Sequence, residues 1–228
     1  VDNSSDSAGS NYALTPGVLT CSLMGSGGRI VYDSSLESFN IVMGSGDDAL
    51  TINDMIATTV TTIEGALGNN DAVMSFSGDF AATDLTLLNF QTNSLNVVGN
   101  FTGLLNDLGA FSVVTIGGSL SASGRFYAGA IDTGSIGGDL AGLLQVNGLL
   151  NTLAIGGGSS GKIIAGSINY ISVQSAFGNK VFQVIEGGIE RQIQASPVGG
   201  GEMSGLVRYA FFYDSSAVGD PQLTLRII

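Results

Sequence analysis

Histidine and tryptophan are absent from this chain of 228 residues, which holds one cysteine, three prolines and seven basic residues. Without histidine, the side chain most often used as a general base and metal ligand is missing. The lone Cys21 cannot form an internal disulfide and reads as a small buried hydrophobe rather than a reactive thiol. The basic residues Arg29, Arg125, Lys162, Lys180, Arg191, Arg208 and Arg226 are scattered singly. No phosphate-tracking stripe can form from them, which excludes nucleic-acid binding. Charged residues make up 11% of the chain, against about 25% in ordinary domains. The balance is acidic, with a net charge of −12, which repels anionic membrane surfaces. No apolar stretch reaches transmembrane length, so membrane insertion is not expected. The acidity favours cations, calcium first, and solubility outside the cell. The chain opens on Val1 without an initiator Met or a signal sequence. That is the start expected of a processed product or an excised segment of something longer.

Glycine is abundant, at 35 residues, yet it follows no three-residue collagen period. Nor is the chain a disordered linker, since 44% of its residues are hydrophobic. Glycine interleaved with Val, Ile, Leu, Thr and Phe predicts many short strands joined by tight turns. The strongest internal signal is a repeat. Phe76-Ser-Gly78-Asp-Phe80, Val97-Val-Gly99-Asn-Phe101, Ile116-Gly-Gly118-Ser-Leu120 and Ile136-Gly-Gly138-Asp-Leu140 share one pattern: apolar, any, Gly, polar, apolar. Ile155-Gly-Gly157-Gly-Ser159 follows with its last apolar position lost. The marker glycines 78, 99, 118, 138 and 157 are 21, 19, 20 and 19 residues apart. Half-period echoes, Val146-Asn-Gly148 and Ile164-Ala-Gly166, lie between them. With Phe126 they make apolar starts recur about every ten residues from Ile116 to Val173.

A period near 20 without helical spacing predicts an all-β, right-handed parallel β-helix, a solenoid of about 20 residues per coil. The leucine-rich repeat, its rival at this period, is excluded by the missing Leu-x-x-Leu-x-Leu pattern and the scarcity of helix formers. Glycine is expected where the backbone turns with positive φ and where stacked turns approach closely. Residues 76–180 form the regular coils. Residues 1–75 carry strand-like runs at 11–20, 29–33, 39–43, 49–52 and 56–64, read as irregular first coils or a cap. Residues 181–228 break the repeat and read as a β-hairpin cap or small β module. Strands 181–186 and 189–195 flank a Gly187-Gly188 turn, and 206–213 pairs with 223–228. Solenoid ends need covering, because an open coil exposes core and unpaired strand edges.

Several stretches carry a likeness. They are the opening Val1-Asp-Asn-Ser-Ser-Asp6, Met43-Gly-Ser-Gly-Asp-Asp-Ala-Leu-Thr-Ile52, the Ile-Gly-Gly-x-Leu coils, and Phe211-Phe-Tyr-Asp214 with Asp220-Pro-Gln-Leu-Thr-Leu-Arg226. In these the chain resembles the very long, repeat-bearing extracellular proteins of planctomycete-type bacteria. The resemblance implies secretion and a structural or adhesive role at the cell surface, and it carries no catalytic residues to transfer.

Calcium is the leading candidate ligand. Gly44-Ser-Gly46-Asp47-Asp48-Ala-Leu50 matches the core of the Gly-x-Gly-x-Asp-x-apolar β-roll motif, and Gly68-Asn-Asn-Asp71 echoes it. Asp47, Asp48 and Asp71 are the candidate metal ligands, with Asp2 and Asp6 a weaker oxygen cluster. The alternative is a turn in which Asp caps backbone N–H groups. Polysaccharide cleavage would need paired carboxylates or carboxylates with a basic residue. Asp132, Asp139 and Arg125 are the one conceivable trio, and Asp139 sits at a repeat position that Ser119 and Asn100 occupy in sister coils. An enzyme is therefore not expected. Lys162 and Lys180 read as solvated, and most of the tyrosines as packing residues with a wet hydroxyl. The expected function is a structural subunit of an extracellular bacterial surface or matrix assembly, associating with itself head to tail through its ends. A carbohydrate- or partner-binding adhesin module is the alternative, and a polysaccharide lyase or hydrolase comes third.

Overall fold

The computed structural model describes residues 1–174, 180–186, 189–195, 209–213 and 222–227, with side chains through residue 171. Its described residues form one continuous sheet of seventeen strands. The short strands are β1 (Asn11–Thr15), β2 (Val18–Cys21), β3 (Ile30–Val31), β4 (Ser38–Val42), β5 (Ala49–Asn53), β6 (Val60–Glu64), β7 (Asp71–Phe76), β8 (Asp84–Leu88) and β9 (Thr92–Val97). Four longer strands follow: β10 (Leu104–Ile116), β11 (Arg125–Ile136), β12 (Leu143–Ile155) and β13 (Lys162–Gln174). The last are β14 (Lys180–Glu186), β15 (Ile189–Ala195), β16 (Tyr209–Tyr213) and β17 (Gln222–Ile227). Among the described residues there is no α-helix, only a 3-10 turn over Ser22–Met24.

The chain is a β-solenoid of stacked parallel coils about 20 residues apart. A first ladder runs β4, β6, β8, then the opening halves of β10, β11, β12 and β13, and ends on β14. A second ladder runs β1, β5, β7, β9, then the closing halves of β10 to β13. Single bridges link Phe80, Phe101, Leu120, Leu140 and Ser159 into a third column. Each long strand thus turns a corner between the first two ladders, and its register shifts there, as between Asp107 and Ala110. The parallel ladders run unbroken across residue 75.

Alternation within each strand turns every second side chain inward. Ile116, Ile136 and Ile155 are in register in successive coils and almost wholly buried, as the repeat predicts. In the third column Ser159 takes the slot of Leu140 and is itself buried. Aromatic rings fill the middle coils. Phe80 lies 4.5 Å from Phe101, Phe101 stacks on Phe126 at 5.7 Å, and Phe111 meets Phe126 edge-on at 5.2 Å between centroids. Each fully buried Ile or Phe contributes about 1.5–3 kcal/mol of apolar transfer.

Three local expectations are corrected. The 11–20 run is not one strand: Pro16 and Gly17, the latter at φ +77°, turn it into a β1–β2 hairpin. Ile164 does not continue the buried row of Val146, because Val146 is registered with Ala165. The connection before it has the same length in both coils, with Ile136 facing Ile155 and Leu143 facing Lys162, so Ile164 takes the outer register of Gln145. The marker glycines do not carry positive φ; among glycines that conformation belongs to Gly17, Gly25, Gly27 and Gly68. Close approach is what Gly99, Gly118, Gly138 and Gly157 supply. A Cβ on Gly118 would stand 2.5 Å from Asn100 Oδ1 and 2.8 Å from the Gly99 carbonyl oxygen.

Both ends of the second ladder carry antiparallel strands. At the N-terminal end β2 pairs with β1 and β3 with β2, while Asp2 bridges Val42 on the first ladder. The N-terminal segment is therefore laid on its own first coil. At the other end β17 pairs antiparallel with β13, and β16 with β17. The β14–β15 hairpin extends the first ladder. Its Gly187-Gly188 turn and the 214–221 loop lie outside the described residues.

The glycine columns separate two substitutions that sequence alone would treat alike. Gly118→Ala is expected to lower the unfolding free energy by about 1–3 kcal/mol through overpacking. Gly78→Ala, whose Cβ would meet nothing within 4 Å, is expected to be neutral or to stabilise by about 0.4–1 kcal/mol. Urea unfolding of the two variants beside the parent checks this, and equal losses at both positions would contradict the close-approach account.

Candidate functional site

The corner where the first ladder passes into the second holds most of the buried polar groups among the described residues. Residues 6–10 lie directly over residues 44–48 there. A Cβ on Gly44 would come within 2.7 Å of the Asp6 carbonyl oxygen, and one on Gly46 within 2.6 Å of the Ala8 oxygen. The glycines of the Gly-x-Gly-x-Asp motif thus serve the stacking of one coil on the next. Asp48 is buried, with 2% of its surface exposed, and its Oδ1 accepts the Ser10 N–H at 2.7 Å. Its Oδ2 is buried without a hydrogen-bond partner. The Asp48 N–H donates to Asn70 Oδ1 at 3.0 Å, and Asn70 Nδ2 donates to the carbonyls of Gly65 and Asn89. Burial raises the Asp48 carboxyl above the usual carboxylate range, with Asp6 and Asp47 adding to it and the Ser10 N–H opposing.

Asp47 and Asp71 are placed differently. Asp47 is exposed, and its Oδ1 accepts the Asn69 N–H at 2.8 Å. Asp71 opens β7 with its side chain exposed, in register with Ala49 and Thr92. Of the three candidate ligands, the structure therefore turns one inward and two outward. No three His, Cys, Asp or Glu side chains form a metal-sized group among the described residues. Asp6 accepts the Ala8 N–H and the Ser10 hydroxyl, and Asp2 accepts the Ser4 N–H.

A second polar column runs along the exposed corner of the marker glycines. Asn100 N–H donates to Asp79 Oδ1 at 2.7 Å, Ser119 N–H to Asn100 Oδ1 at 2.9 Å, Asp139 N–H to Ser119 Oγ at 2.9 Å, and Gly158 N–H to Asp139 Oδ1 at 2.6 Å. Each side chain caps the backbone N–H of the same slot one coil later. Asp139 is exposed, as its repeat position predicts, but committed to this bond. Asp132 Oδ1 accepts Asn151 Nδ2 at 2.6 Å, and Arg125 donates to the carbonyls of Ala122 and Gly124. The trio weighed for polysaccharide cleavage is thus bonded to three separate sets of partners.

Sequence reasoning passed over the most unusual group. Asp107 is an inward residue of β10, in register with Leu87 and Ala128, and it is wholly buried. Its Oδ1 accepts the Gly109 N–H at 2.9 Å, and its Oδ2 has no partner. Beside it, Asn93 is buried with its Oδ1 on the Ala72 N–H and its Nδ2 unpartnered. A Cβ on Gly109 would meet both the Asn93 amide and the Asp107 carboxyl, which places the two groups around one spot. Burial pushes the Asp107 carboxyl up to about 7, against the Gly109 hydrogen bond. Alternation along Leu104-Leu105-Asn106-Asp107 was the available signal, since Leu105 and Asp107 share a face. In later coils this corner turns apolar, with Ala128, Val146 and Ala165 in the Asp107 register.

The first coil holds two more buried polar side chains. Cys21 is buried on β2 opposite Tyr12. The Tyr12 hydroxyl is not wet: it accepts Asn3 Nδ2 at 2.7 Å, and burial pushes it up to about 12. Comparison with protein-family models, with curated proteins and with solved structures gives no match.

Asp107 makes stability depend on pH in an unusual sense. Its folded pKa, about 7, lies above the ordinary 3.8, so the folded chain holds this proton more tightly than the unfolded chain does. Its contribution is fully present below about pH 4 and is lost as pH rises through about 7, by on the order of 4 kcal/mol. The raised Asp48 carboxyl acts in the same direction. Asp107→Asn is expected to flatten most of the decline between pH 4.5 and 8 and to be the more stable protein at pH 8. Urea midpoints of both proteins across that range check it, and an equally steep decline in the variant would contradict the assignment.

Proposed function

We propose that this chain is a structural unit of an extracellular bacterial surface or matrix assembly, a stiff solenoid whose work is mechanical. One observation carries the reading: the polar side chains at the corners are spent on bonds between coils. Asp47, Asp54, Asp79 and Asp139 each accept a backbone N–H from the following coil. An acid committed in this way holds coils together rather than presenting a reactive group. The core beneath is continuous, so loads along the axis fall on backbone ladders and stacked apolar side chains together. The sparsely charged, acidic polar surface and the likeness to planctomycete-type surface proteins support a place outside the cell. The reading assigns no catalytic step.

Assembly into filaments or a lattice would run through the ends of the solenoid. At the N-terminal end, among the described residues, β2 is met on its outer side by the two residues of β3 alone, at Val18–Val31 and Leu19–Ile30. Much of that edge can therefore take a strand from a neighbouring copy, and a head-to-tail contact that does not close generates filaments. Two measurements test the reading. Antibodies to the chain should label the surface or matrix of intact, unpermeabilised producing cells. Light scattering should show mass above the monomer as concentration rises, and Thr20→Lys, which sets a charge on the part of the β2 edge that β3 leaves uncovered, should abolish the rise. Label confined to permeabilised cells would overturn the location, and a strictly monomeric parent chain would overturn the assembly.

A further inference from the structure

The first 124 residues contain twelve acids and a single basic side chain, Arg29. In an acidic chain such an arginine would ordinarily be drawn to a carboxylate. Arg29 is instead exposed and has no hydrogen bond or ion pair among the described residues. It stands at a groove of about 550 Å³ on the outer side of the β1–β2 hairpin. That size falls within the range of small-molecule sites. The polar lining is Asn11, Thr20, Ser22 and Thr51. The wall is the segment from Ser22 to Arg29, where Gly25 and Gly27 adopt φ +73° and +81°. A Cβ on either glycine would meet nothing within 4 Å, so these residues are required by backbone conformation and leave the mouth open.

The chemistry of this lining is selective. A guanidinium is a planar fork of donors that matches a carboxylate with two parallel hydrogen bonds. Threonine and serine hydroxyls and an asparagine amide both donate and accept, which suits the vicinal hydroxyls of a sugar. A net charge of −12 opposes any densely charged polyanion approaching the site. One arginine likewise balances one negative charge, not a doubly charged phosphate. We propose that this groove binds a uronate, a single carboxylate-bearing sugar residue within an otherwise neutral glycan. Arg29 takes the carboxylate, and Asn11, Thr20, Ser22 and Thr51 take the ring hydroxyls. The site goes beyond the mechanical role above and does not depend on it.

Isothermal titration of the full chain with a trisaccharide of one glucuronate and two neutral xylose residues tests the proposal. The methyl ester of the same trisaccharide and plain acetate serve as comparison ligands. Saturable binding of the free acid is expected, weakened at least about tenfold in the methyl ester and in Arg29→Gln. Arg29→Lys should fall between, since it keeps the charge and loses the fork. Because Arg29 has no partner among the described residues, Arg29→Gln should keep the parent's circular dichroism and unfolding midpoint. Should it fail to fold, the methyl ester arm decides alone. Undiminished binding by Arg29→Gln or by the ester, displacement by equimolar acetate, or no saturable binding would each overturn the proposal. Titration below the concentration of any self-association keeps its failure separate from failure of the assembly reading.

Discussion

Stacking at the spacing of hydrogen-bonded strands, roughly 4.8 Å, is the constraint on which the rest of this structure depends. Every side chain lies against its counterpart one coil before and one coil after, so its chemistry must suit a column as well as a local environment. Apolar residues gain by this, as the Ile116–Ile136–Ile155 row does. Charges lose. Two like charges at that distance repel by about 3–4 kcal/mol at an effective dielectric constant of 20. The acids are spaced accordingly. Glu64 is registered with Val42 and Leu88, Asp71 with Ala49 and Thr92, and Asp84 with Val60. In the outer corner column, Asp79 and Asp139 are separated by Asn100 and Ser119. The low charge content of the chain is thus a consequence of its geometry as much as of its surroundings.

The same constraint explains why Asp, Asn and Ser replace one another at a repeat position without loss of structure. What the position requires is an oxygen able to accept the N–H of the next coil. Asp79, Asn100, Ser119 and Asp139 all supply one, at 2.6–2.9 Å. A neutral acceptor avoids like-charge repulsion, whereas a carboxylate makes a stronger charge-assisted bond. Two neutral acceptors between the carboxylates take both advantages.

Much of the fold was legible because stacking writes its period into the sequence. The marker glycines, the buried isoleucines and nearly all the early strands could be read from it. Register at the corners could not. Val146–Leu149 faces Ala165–Ser167 with one residue fewer, and such a difference is absorbed by a bulge that leaves the mean period unchanged. Ile164 looks equivalent to Val146 in sequence, but it stands one place earlier, in the register of Gln145, and faces the other way in space. The Gly44-x-Gly46-Asp47-Asp48 motif likewise has a determinant that local sequence does not show. Its glycines are set by residues 6–10 lying above them, a contact nearly forty positions away in the chain. The Arg29 groove left little local signature, since its floor includes Thr51 as well as the β1–β2 hairpin.

Solenoid stability is approximately a sum of coil and nearest-neighbour terms, so the placement of buried polar groups sets where the rod is weakest. Ser10, Asp48, Asn70, Asn93 and Asp107 are all buried, and all lie in coils preceding β11. After Asp107 the equivalent register passes to Ala128, Val146 and Ala165. Each unpartnered buried oxygen or amide in the early coils costs about 1–3 kcal/mol, while the later coils fill the same space with methyl groups. The polar half repays part of this cost through the bonds that join Ser10 to Asp48 and Asp48 to Asn70. It remains the half whose free energy moves when a carboxyl gains or loses its proton. The pH-dependent part of the folding free energy therefore sits in the early coils, where burial raises the carboxyls of Asp48 and Asp107, while from β11 onward the same register carries Ala128, Val146 and Ala165.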